Sequence, residues 1–313
     1  MKSTSFCAVQ SGAFQRTSLI VVLAIVGFLA TGGSPCSATL LTLGHASNFA
    51  MLADLTTADS TSATKTASIN LNNYTINGDL GAPTIKGAAP NHYNGNIYTA
   101  NSSQPAGTLV GTYHPSSAAT INTAAADAIT FSNQIAALTT TQTVSGNLNG
   151  QTITGAGGVN VIDVTGGITG AFNVHGGAND IFVFNVHGTM NVTSGVIGGN
   201  NAGSTVTPSQ IIYNFIGTTA GQTVKTMVPN TVNGTLLSVN GNYTFTLDSV
   251  ANGQAINLFD GATAITGMSA QFQNGTGNFF RGVPVPEPST IALGIAGFAC
   301  LGFVAQRKRL RRA

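Results

Sequence analysis

Two histidines and an aspartate in the middle of the chain have the side chains and spacing for metal binding. His175 and His187 each occupy the fourth position of a repeated pentapeptide, Phe-Asn-Val-His-Gly, and Asp180 lies between the two copies. If the copies stacked as equivalent strand ends, the three side chains could supply the nitrogen and oxygen ligands that zinc accepts. Alternatively, each histidine ends a strand and faces solvent or a neighbouring carbonyl. We expect no metal site, and these three residues are the candidates if one exists.

The other titratable side chains argue against catalysis. Residues 39–283 contain eight aspartates and no glutamate, and Asp79, Asp180 and Asp260 lie in turn sequences where aspartate is common. A lyase that acts on an acidic polysaccharide needs basic groups to neutralise its substrate, but this region has four basic residues. Neither a Gly-x-Ser-x-Gly nucleophile elbow nor a phosphate-binding Gly-Lys-Ser/Thr loop occurs. We therefore expect no catalytic residues, no cofactor and no enzyme activity.

Net charge separates the middle of the chain from its ends. The whole chain has a formal net charge of +2, whereas the four basic and eight acidic residues of residues 39–283 give −4. A nucleic-acid-binding protein neutralises phosphates with lysine and arginine, and this region has too few of them. We expect no nucleic-acid partner.

Five of the eleven basic residues lie together at the C-terminal end, in residues 284–313. This segment begins with Pro284, Pro286 and Pro288, which keep the backbone extended, and continues with an uncharged apolar run, residues 291–305. An apolar run stopped by basic residues predicts a transmembrane helix whose basic end stays in the cytoplasm. The basic residues that stop the run are Arg307, Lys308, Arg309, Arg311 and Arg312.

The same segment resembles the PEP-CTERM sorting signal of exported bacterial proteins, because a Pro-Glu-Pro motif, an apolar run and an arginine cluster follow in that order. The sorting motif consists of Val285, Pro286, Glu287, Pro288 and Ser289. The resemblance implies processing by an exosortase, a membrane protease that recognises the Pro-Glu-Pro region, in a bacterium that makes exopolysaccharide. The partners that we expect are therefore this protease, the membrane and exopolysaccharide.

The N-terminal end predicts a secretory signal peptide. Lys2 and Arg16 give it a positive beginning, residues 19–30 are apolar, and a small-residue cleavage site ends at Ala38. We expect an exported protein that its tail anchors in the inner membrane and that processing then delivers to the cell surface or the medium. The predicted divisions are a signal peptide (1–38), an exported domain (39–283) and a sorting tail (284–313).

One helix is predicted in the exported domain, over residues 116–139. Its apolar residues recur at helical spacing, alanine is abundant, and neither glycine nor proline interrupts it. Ser116 or Ser117 is placed to cap its first turn. The helix should therefore pack its apolar face along the body of the domain. The residues that define this face are Ile121, Ala125, Ala128, Ile135 and Leu138.

The rest of the exported domain predicts short β-strands, with clear examples at residues 159–164, 181–186, 211–215 and 243–247. Asn-Gly pairs between strands supply the positive φ of tight turns. The repeated pentapeptide and the many uncharged Asn and Thr residues favour stacked parallel coils. We predict a mainly β fold, a right-handed parallel β-helix with one long α-helix alongside, and a β-sandwich is the alternative. The Asn-Gly pairs are Asn149-Gly150, Asn233-Gly234, Asn240-Gly241 and Asn252-Gly253.

Parts of the exported domain resemble the bacterial ice-binding-protein-like β-helix family. The resemblance rests on residues 43–52, on residues 76–81, and on the predicted helix together with residues 146–150 that follow it. Residues 180–184, which lead into residues 188–189, belong to the same resemblance. Residues 211–215 and 233–237 are closer to the related choice-of-anchor-A domains of surface adhesins. Both families imply a right-handed β-helix beside an α-helix, whereas their functions differ.

Two functions follow from these expectations. The first is a non-enzymatic surface or matrix protein, adhesive or structural, that contacts exopolysaccharide through Asn, Thr, Ser and Tyr side chains. The second is an ice-binding protein, which needs a flat face with threonines in register on successive coils. Thr244 and Thr246 form the nearest Thr-x-Thr pair. A regular threonine-lined face would favour ice binding, and a face crossed by Asp and Asn would favour the first function.

Overall fold

The computed structural model describes most of the exported domain. The described residues are 39–54, 67–88, 90–101, 103–227, 230–248, 250–259, 264–268, 271–273 and 283–285. Leu41–Val283 forms one compact unit, and the fold reported below is that of this unit. The predicted signal peptide and the sorting tail after Val285 lie outside the described ranges. Within those ranges, no helix is both long and apolar enough to cross a membrane.

The described strands form a parallel β-helix with three sheets, and one α-helix, α1 (Ala118–Ala136), contacts one of them. We name these the covered sheet, which α1 contacts, the asparagine sheet and the open sheet, and number the strands along the chain. The covered sheet consists, in pairing order, of β10 (Tyr113–His114), β8 (Ile97–Thr99), β5 (Asp79–Ala82), β2 (Phe49–Asp54), β24 (Ala255–Leu258), β21 (Thr235–Ser238), β18 (Ile211–Phe215), β15 (Ile181–Val186), β13 (Val159–Val164) and β11 (Gln142–Val144).

The other two main sheets form the remaining sides of the β-helix. The asparagine sheet consists of β12 (Thr152–Thr154), β14 (Phe172–His175), β17 (Val196–Asn200), β20 (Thr231–Asn233), β23 (Val250–Asn252), β26 (Gln271–Gln273), β4 (Thr75–Asn77), β7 (His92–Tyr93) and β9 (Thr108–Leu109). The open sheet consists of β16 (Met190–Val192), β19 (Gln222–Thr226), β22 (Tyr243–Leu247), β25 (Ile265–Met268), β3 (Ser68–Asn72) and β6 (Thr84–Ala88). The remaining elements are a two-stranded sheet of β1 (Thr39–Leu41) and β27 (Val283–Val285) and two 3-10 helices, Gly44–Asn48 and Pro208–Gln210.

The chain enters the covered sheet in its middle. β2 starts a first run of coils that continues through β5 and β8 to β10 at one edge. After α1, a second run starts with β11 at the other edge and ends with β24, which pairs with β2. Buried Gln254 joins the two runs, because its Nε2 donates to the carbonyl oxygens of Ser47 (2.9 Å) and Phe49 (2.7 Å). The first and last coils therefore support each other across 207 residues of sequence.

Aromatic and aliphatic side chains fill the interior in rows that run along the axis of the β-helix. Ile162, Phe184 and Tyr213 lie in register on neighbouring strands of the covered sheet and are fully buried. Phe184 stacks on Tyr213 with 5.4 Å between ring centroids, and Phe172 of the asparagine sheet meets it edge-on at 5.3 Å. Such pairs contribute about 0.5–1.5 kcal/mol beyond the burial of their area. The three sheets thus share one apolar core.

Buried tyrosine hydroxyls make the fold sensitive to alkali. Burial raises the pKa of Tyr93 to about 12 and the pKa of Tyr243 to about 12, from the ordinary value of 10.0. A raised folded-state pKa contributes stability that is complete below pH 10 and is lost as the pH rises towards 12. We expect the midpoint of thermal unfolding to fall steeply above about pH 10. Tyr243→Phe, which cannot ionise, should reduce this fall, and an unchanged pH dependence in the variant would contradict the assignment.

α1 closes the outer face of the covered sheet. The outward positions of three neighbouring strands carry Leu52, Ile256 and Leu237, which lie in register. Along each strand these residues alternate with core residues, and all three are fully buried. They form a second apolar layer, and α1 contacts two of the strands that carry it, β2 and β21. The apolar face predicted for the helix is confirmed except at Leu138, which lies beyond Ala136. The helix residues that are buried are Ile121, Ala124, Ala125, Ala128, Phe131, Ser132 and Ile135.

The polar contacts of α1 differ from the predicted cap. Ser117 is the N-cap residue, but its Oγ donates to the carbonyl oxygen of His114 (3.0 Å) and makes no capping hydrogen bond to the helix. Near the other end, buried Ser132 donates from Oγ to Oδ1 of Asn214 (2.7 Å). Nδ2 of Asn214 in turn donates to Oδ1 of Asn185 (3.0 Å). Because an unpaired buried amide costs about 1–3 kcal/mol, this relay fixes where the helix lies on the sheet.

The Asn-Gly pairs serve two different purposes. Gly150, Gly234 and Gly241 have φ values of 66°, 121° and 73°, which confirms the predicted tight turns. At Gly253 the reason is close approach between coils, because a Cβ would lie 1.9 Å from the carbonyl oxygen of Gly234. Glycine is therefore required at both kinds of position.

The parallel β-helix and its single long helix are confirmed, and parallel pairing excludes the β-sandwich alternative. However, the predicted stacking of the two pentapeptide copies was wrong. The first copy forms β14 of the asparagine sheet, whereas the second ends β15 of the covered sheet, so the copies do not stack. The true coil length varies: 22 residues separate Ile162 from Phe184, and 29 separate Phe184 from Tyr213. This variation hides the structural repeat from the sequence.

Candidate functional site

The structure describes only the first residue of the predicted sorting motif. Val285 lies in β27, and Pro286, Glu287, Pro288 and Ser289 lie outside the described residues. The same is true of the basic residues that stop the apolar run, Arg307, Lys308, Arg309, Arg311 and Arg312. The sorting signal and the membrane span therefore stay predictions.

The structure does not bring the three metal candidates together as the stacking hypothesis required. His175 ends β14 in the asparagine sheet, whereas His187 follows β15 in the covered sheet and its Nε2 lies 2.8 Å from Oδ1 of Asp163. Within the described ranges, no group of three or more His, Cys, Asp or Glu side chains has the arrangement of a metal site. The histidines thus have separate surroundings.

Asp180 holds a turn of the backbone. It is buried, and its Oδ1 accepts hydrogen bonds from the backbone N–H of Gly157 (2.8 Å) and from Nδ2 of Asn160 (3.1 Å). Its Oδ2 accepts from the backbone N–H of Gly177 (2.7 Å). Because three donors bind this one buried carboxylate, Asp180 braces two successive coils against each other.

Asp180→Ala is expected to lower the free energy of unfolding by about 2–3 kcal/mol, because it removes three hydrogen bonds to one buried carboxylate. Asp163→Ala is the control, since the Asp163–His187 pair is 28% and 45% exposed and should contribute about 1 kcal/mol or less. Urea unfolding of both variants measures the difference. Equal losses of stability would contradict the bracing role.

Two of the three main faces of the β-helix remain available for a ligand, because α1 packs against the third. On the asparagine sheet, the outward amides bind one another. Nδ2 of Asn252 donates to Oδ1 of Asn233 (2.9 Å), and Nδ2 of Asn94 donates to Oδ1 of Asn77 (2.7 Å). Nδ2 of Asn233 donates to the carbonyl oxygen of Gly198 (3.1 Å). These side chains stabilise the stacking of coils and use hydrogen-bonding capacity that a ligand would need.

The open sheet presents a different surface. One outward position on each of its strands lies in register with the next, and we name the resulting set the open row. Four of its members are exposed, and its two threonines are half-exposed. Its side chains make no hydrogen bond or ion pair within the described part of the chain, so they are available to a ligand. The open row consists, in order, of Asn191, Lys225, Thr246, Thr266, Asn70 and Lys86.

Threonine occupies some of the outward positions of this face but not all of them. Thr244 and Thr246, the predicted Thr-x-Thr pair, both point outward from β22. Thr244 is in register with Thr223, and Thr246 is in register with Thr266. Lysine and asparagine occupy the other positions of the open row, so the face mixes hydroxyl, amide and ammonium groups.

The position of the two lysines could not be predicted from the sequence. Lys86 and Lys225 belong to the first and second runs of coils, and only the register of the open sheet puts them in one row. Local alternation correctly predicted that Thr244 and Thr246 share a face, whereas no local signal relates them to Asn70 or Lys86. The site is therefore a product of coil stacking.

Solved structures of ice-binding proteins share this fold. An ice-binding protein from the Antarctic ascomycete Antarctomyces psychrotrophicus is 20% identical with a TM-score of 0.51, over 76% of this chain and 100% of that chain. The ice-binding protein LeIBP from an Arctic yeast is 19% identical with a TM-score of 0.50, over 80% of this chain and 98% of that chain. At these identities, the likeness concerns the fold.

Comparison with family models covers most of the chain. No curated protein matches the sequence. A family model described as "Putative Ice-binding-like adhesive domain" matches residues 25–258, which include α1 and nearly all described coils. The match agrees with the resemblance seen in the sequence and with the β-helix beside a single helix. This chain belongs to the ice-binding-like adhesive domain family.

Proposed function

We propose that this chain is an exported, non-enzymatic protein of the cell surface or extracellular matrix, adhesive or structural, that binds exopolysaccharide through the open row. The observation that carries the proposal is the row itself: solvent-accessible Thr, Asn and Lys side chains in register, with no partner within the described residues. Hydroxyl, amide and ammonium groups are donors and acceptors that match sugar hydroxyls. The family description, an adhesive domain, supports the same function.

The surroundings of the carboxylates support a role without catalysis. Asp127 accepts from the backbone N–H of His45 (2.7 Å), and Asp180 accepts from backbone amides. Asp163 lies beside His187. Each of these carboxylates has a structural partner, and none of the three belongs to the open row.

Delivery to the surface is part of the proposal. The predicted signal peptide would export residues 39–283, and the PEP-CTERM-like tail would hold the protein in the inner membrane until an exosortase processes it. The support is the order of charged, apolar and proline-containing segments in the sequence.

Cosedimentation with insoluble polysaccharides tests the adhesive function. The full chain in mild non-ionic detergent should bind at least one member of a panel of neutral and acidic polysaccharides. Thr246→Tyr, in the middle of the open row, should weaken this binding about tenfold, because a bulky side chain prevents close approach to the sheet. Thr75→Tyr is the matched control: Thr75 is an outward, half-exposed strand residue of the asparagine sheet. Equal binding by both variants would contradict the assignment of the face.

Ice binding is the second candidate, and the threonines of the open sheet favour it. Thr223 with Thr244 and Thr246 with Thr266 form two in-register pairs on one face. Two of the six positions of the open row are lysine, which argues against ice binding. A charged ammonium group is strongly hydrated and keeps the water around it liquid-like. Measured thermal hysteresis that Thr246→Tyr abolishes and Thr75→Tyr preserves would establish ice binding as the function. Absence of hysteresis in the unaltered chain would exclude it.

A further inference from the structure

We propose that the open row binds an extended acidic polysaccharide that lies parallel to the axis of the β-helix, with anionic groups at Lys225 and Lys86. The inference rests on the proposed adhesive function and names its ligand class, binding direction and charged contacts. The expected ligand is a glycan that carries carboxylate groups.

The distribution of charge carries the first step. Lys86 and Lys225 are the lysines that the structure describes, and both lie in the open row. Neither forms an ion pair within the described ranges, where the ion pairs found join His45 to Asp127 and His187 to Asp163. Although residues 39–283 are acidic as a whole, this face presents two lysines that pair with no described carboxylate. It is complementary to an anion.

Most described carboxylates lie elsewhere. Asp127 is on α1, and Asp79 and Asp163 are on strands of the covered sheet. Asp248 directly follows β22, the strand that carries Thr246, and its charge acts on the Tyr74 hydroxyl. Burial raises the pKa of that hydroxyl, and Asp248 raises it further. A negative charge there does not lie within the open row, which has no acidic member.

The spacing of the lysines gives the second step. β19, which carries Lys225, and β6, which carries Lys86, are four strand steps apart in the open sheet. At about 4.8 Å per step, the backbones at the two lysines are about 19 Å apart. Thr246, Thr266 and Asn70 fill the interval with neutral hydrogen-bonding groups. A ligand that meets both lysines must therefore be several sugar rings long and must cross the strands.

The chemistry of the row distinguishes a glycan from other polyanions. A peptide is usually held by an apolar pocket or by a free sheet edge, and the open row offers neither along its length. Single-stranded nucleic acid needs aromatic stacking platforms and many cations, whereas this row has two lysines and no aromatic side chain. Two lysines separated by three neutral hydrogen-bonding side chains fit a polymer that carries occasional carboxylates among many hydroxyls.

The test measures binding of the full chain to polygalacturonate, to neutral dextran and to a DNA duplex by biolayer interferometry. We expect polygalacturonate to bind more tightly than either of the others and to weaken with added salt. Lys86→Gln and Lys225→Gln should each weaken Kd about two- to fivefold, and the double variant about tenfold. Lys86→Arg should retain binding because it preserves the charge. Oligogalacturonides too short to span about 19 Å should meet one lysine at a time. Each single variant should therefore bind them with the affinity of the unaltered chain, and only the double variant should bind them more weakly.

Each result has a defined meaning. If polygalacturonate binds and the double Gln variant binds equally well, the inference is overturned while the adhesive function stands. If dextran binds as tightly as polygalacturonate and Thr246→Tyr alone reduces binding, the ligand is neutral and the inference also fails. Equal or tighter binding of the DNA duplex would identify an unselective cationic face and overturn the glycan assignment. Binding to no polysaccharide at all would remove the proposed function together with the inference.

Discussion

Phe184→Ala is expected to lower the free energy of unfolding by about 3–5 kcal/mol, a large share of the total stability of an ordinary domain. Phe184 is fully buried, and its ring contacts Tyr213 at 5.4 Å and Phe172 at 5.3 Å between centroids. Removing it leaves a cavity where the covered sheet meets the asparagine sheet. Because each coil stacks only on its neighbours, no distant contact compensates for the loss.

Urea or thermal unfolding followed by circular dichroism measures this effect. Val110→Ala is the control, because Val110 is also apolar but is 73% exposed, and the change should stay within about 0.5 kcal/mol. A loss below about 1 kcal/mol in Phe184→Ala would show that the interior is not packed as the register places it.

Deletion of residues 291–313 is expected to move nearly all of the protein from the membrane fraction to the periplasm or the medium. The deleted segment contains the apolar run of residues 291–305 and the five basic residues that follow it. Each basic residue costs about 2.5–3.5 kcal/mol at the centre of a bilayer, so the cluster should resist translocation and stop transfer. Subcellular fractionation and immunoblotting measure the result. A deletion variant that still sediments with membranes would remove the tail as the anchor.

Replacement of Glu287 and its neighbours Pro286 and Pro288 by alanine tests processing separately from anchoring. The apolar run and the basic residues are intact in this variant, so it should stay in the membrane as the unprocessed chain. Mass spectrometry of the mature C-terminus distinguishes the two forms. Normal cleavage of the triple alanine variant would exclude recognition of the Pro-Glu-Pro motif by a protease.

The local elements of this protein can be predicted from short stretches of its sequence. Alternation over residues 181–186 and 243–247 gave the strands, and the spacing of Ile121, Ala125 and Ala128 gave the helix, because these patterns depend on neighbours within one or two turns. The Asn-Gly turns were also predicted from neighbouring residues alone, and the positive φ of Gly241 confirms one of them. Many short strands and one helix left both a β-helix and a β-sandwich open. The choice of a β-helix rested on the repeated pentapeptide, whose copies do not stack, on the uncharged Asn and Thr residues and on the family resemblance.

Which residues share a surface depends on how the coils stack. Phe172 and Phe184 have the same local sequence but lie on different sheets, because their separation of twelve residues is about half of the 22-residue coil. The register of the open sheet brings Lys86 beside Asn70 and aligns Lys225 with Thr246. The physical reason is that strand pairing joins positions whose separation is set by loop length, and local propensity does not determine that length. The open row, and with it the candidate function, exists because the second run of coils ends against the first.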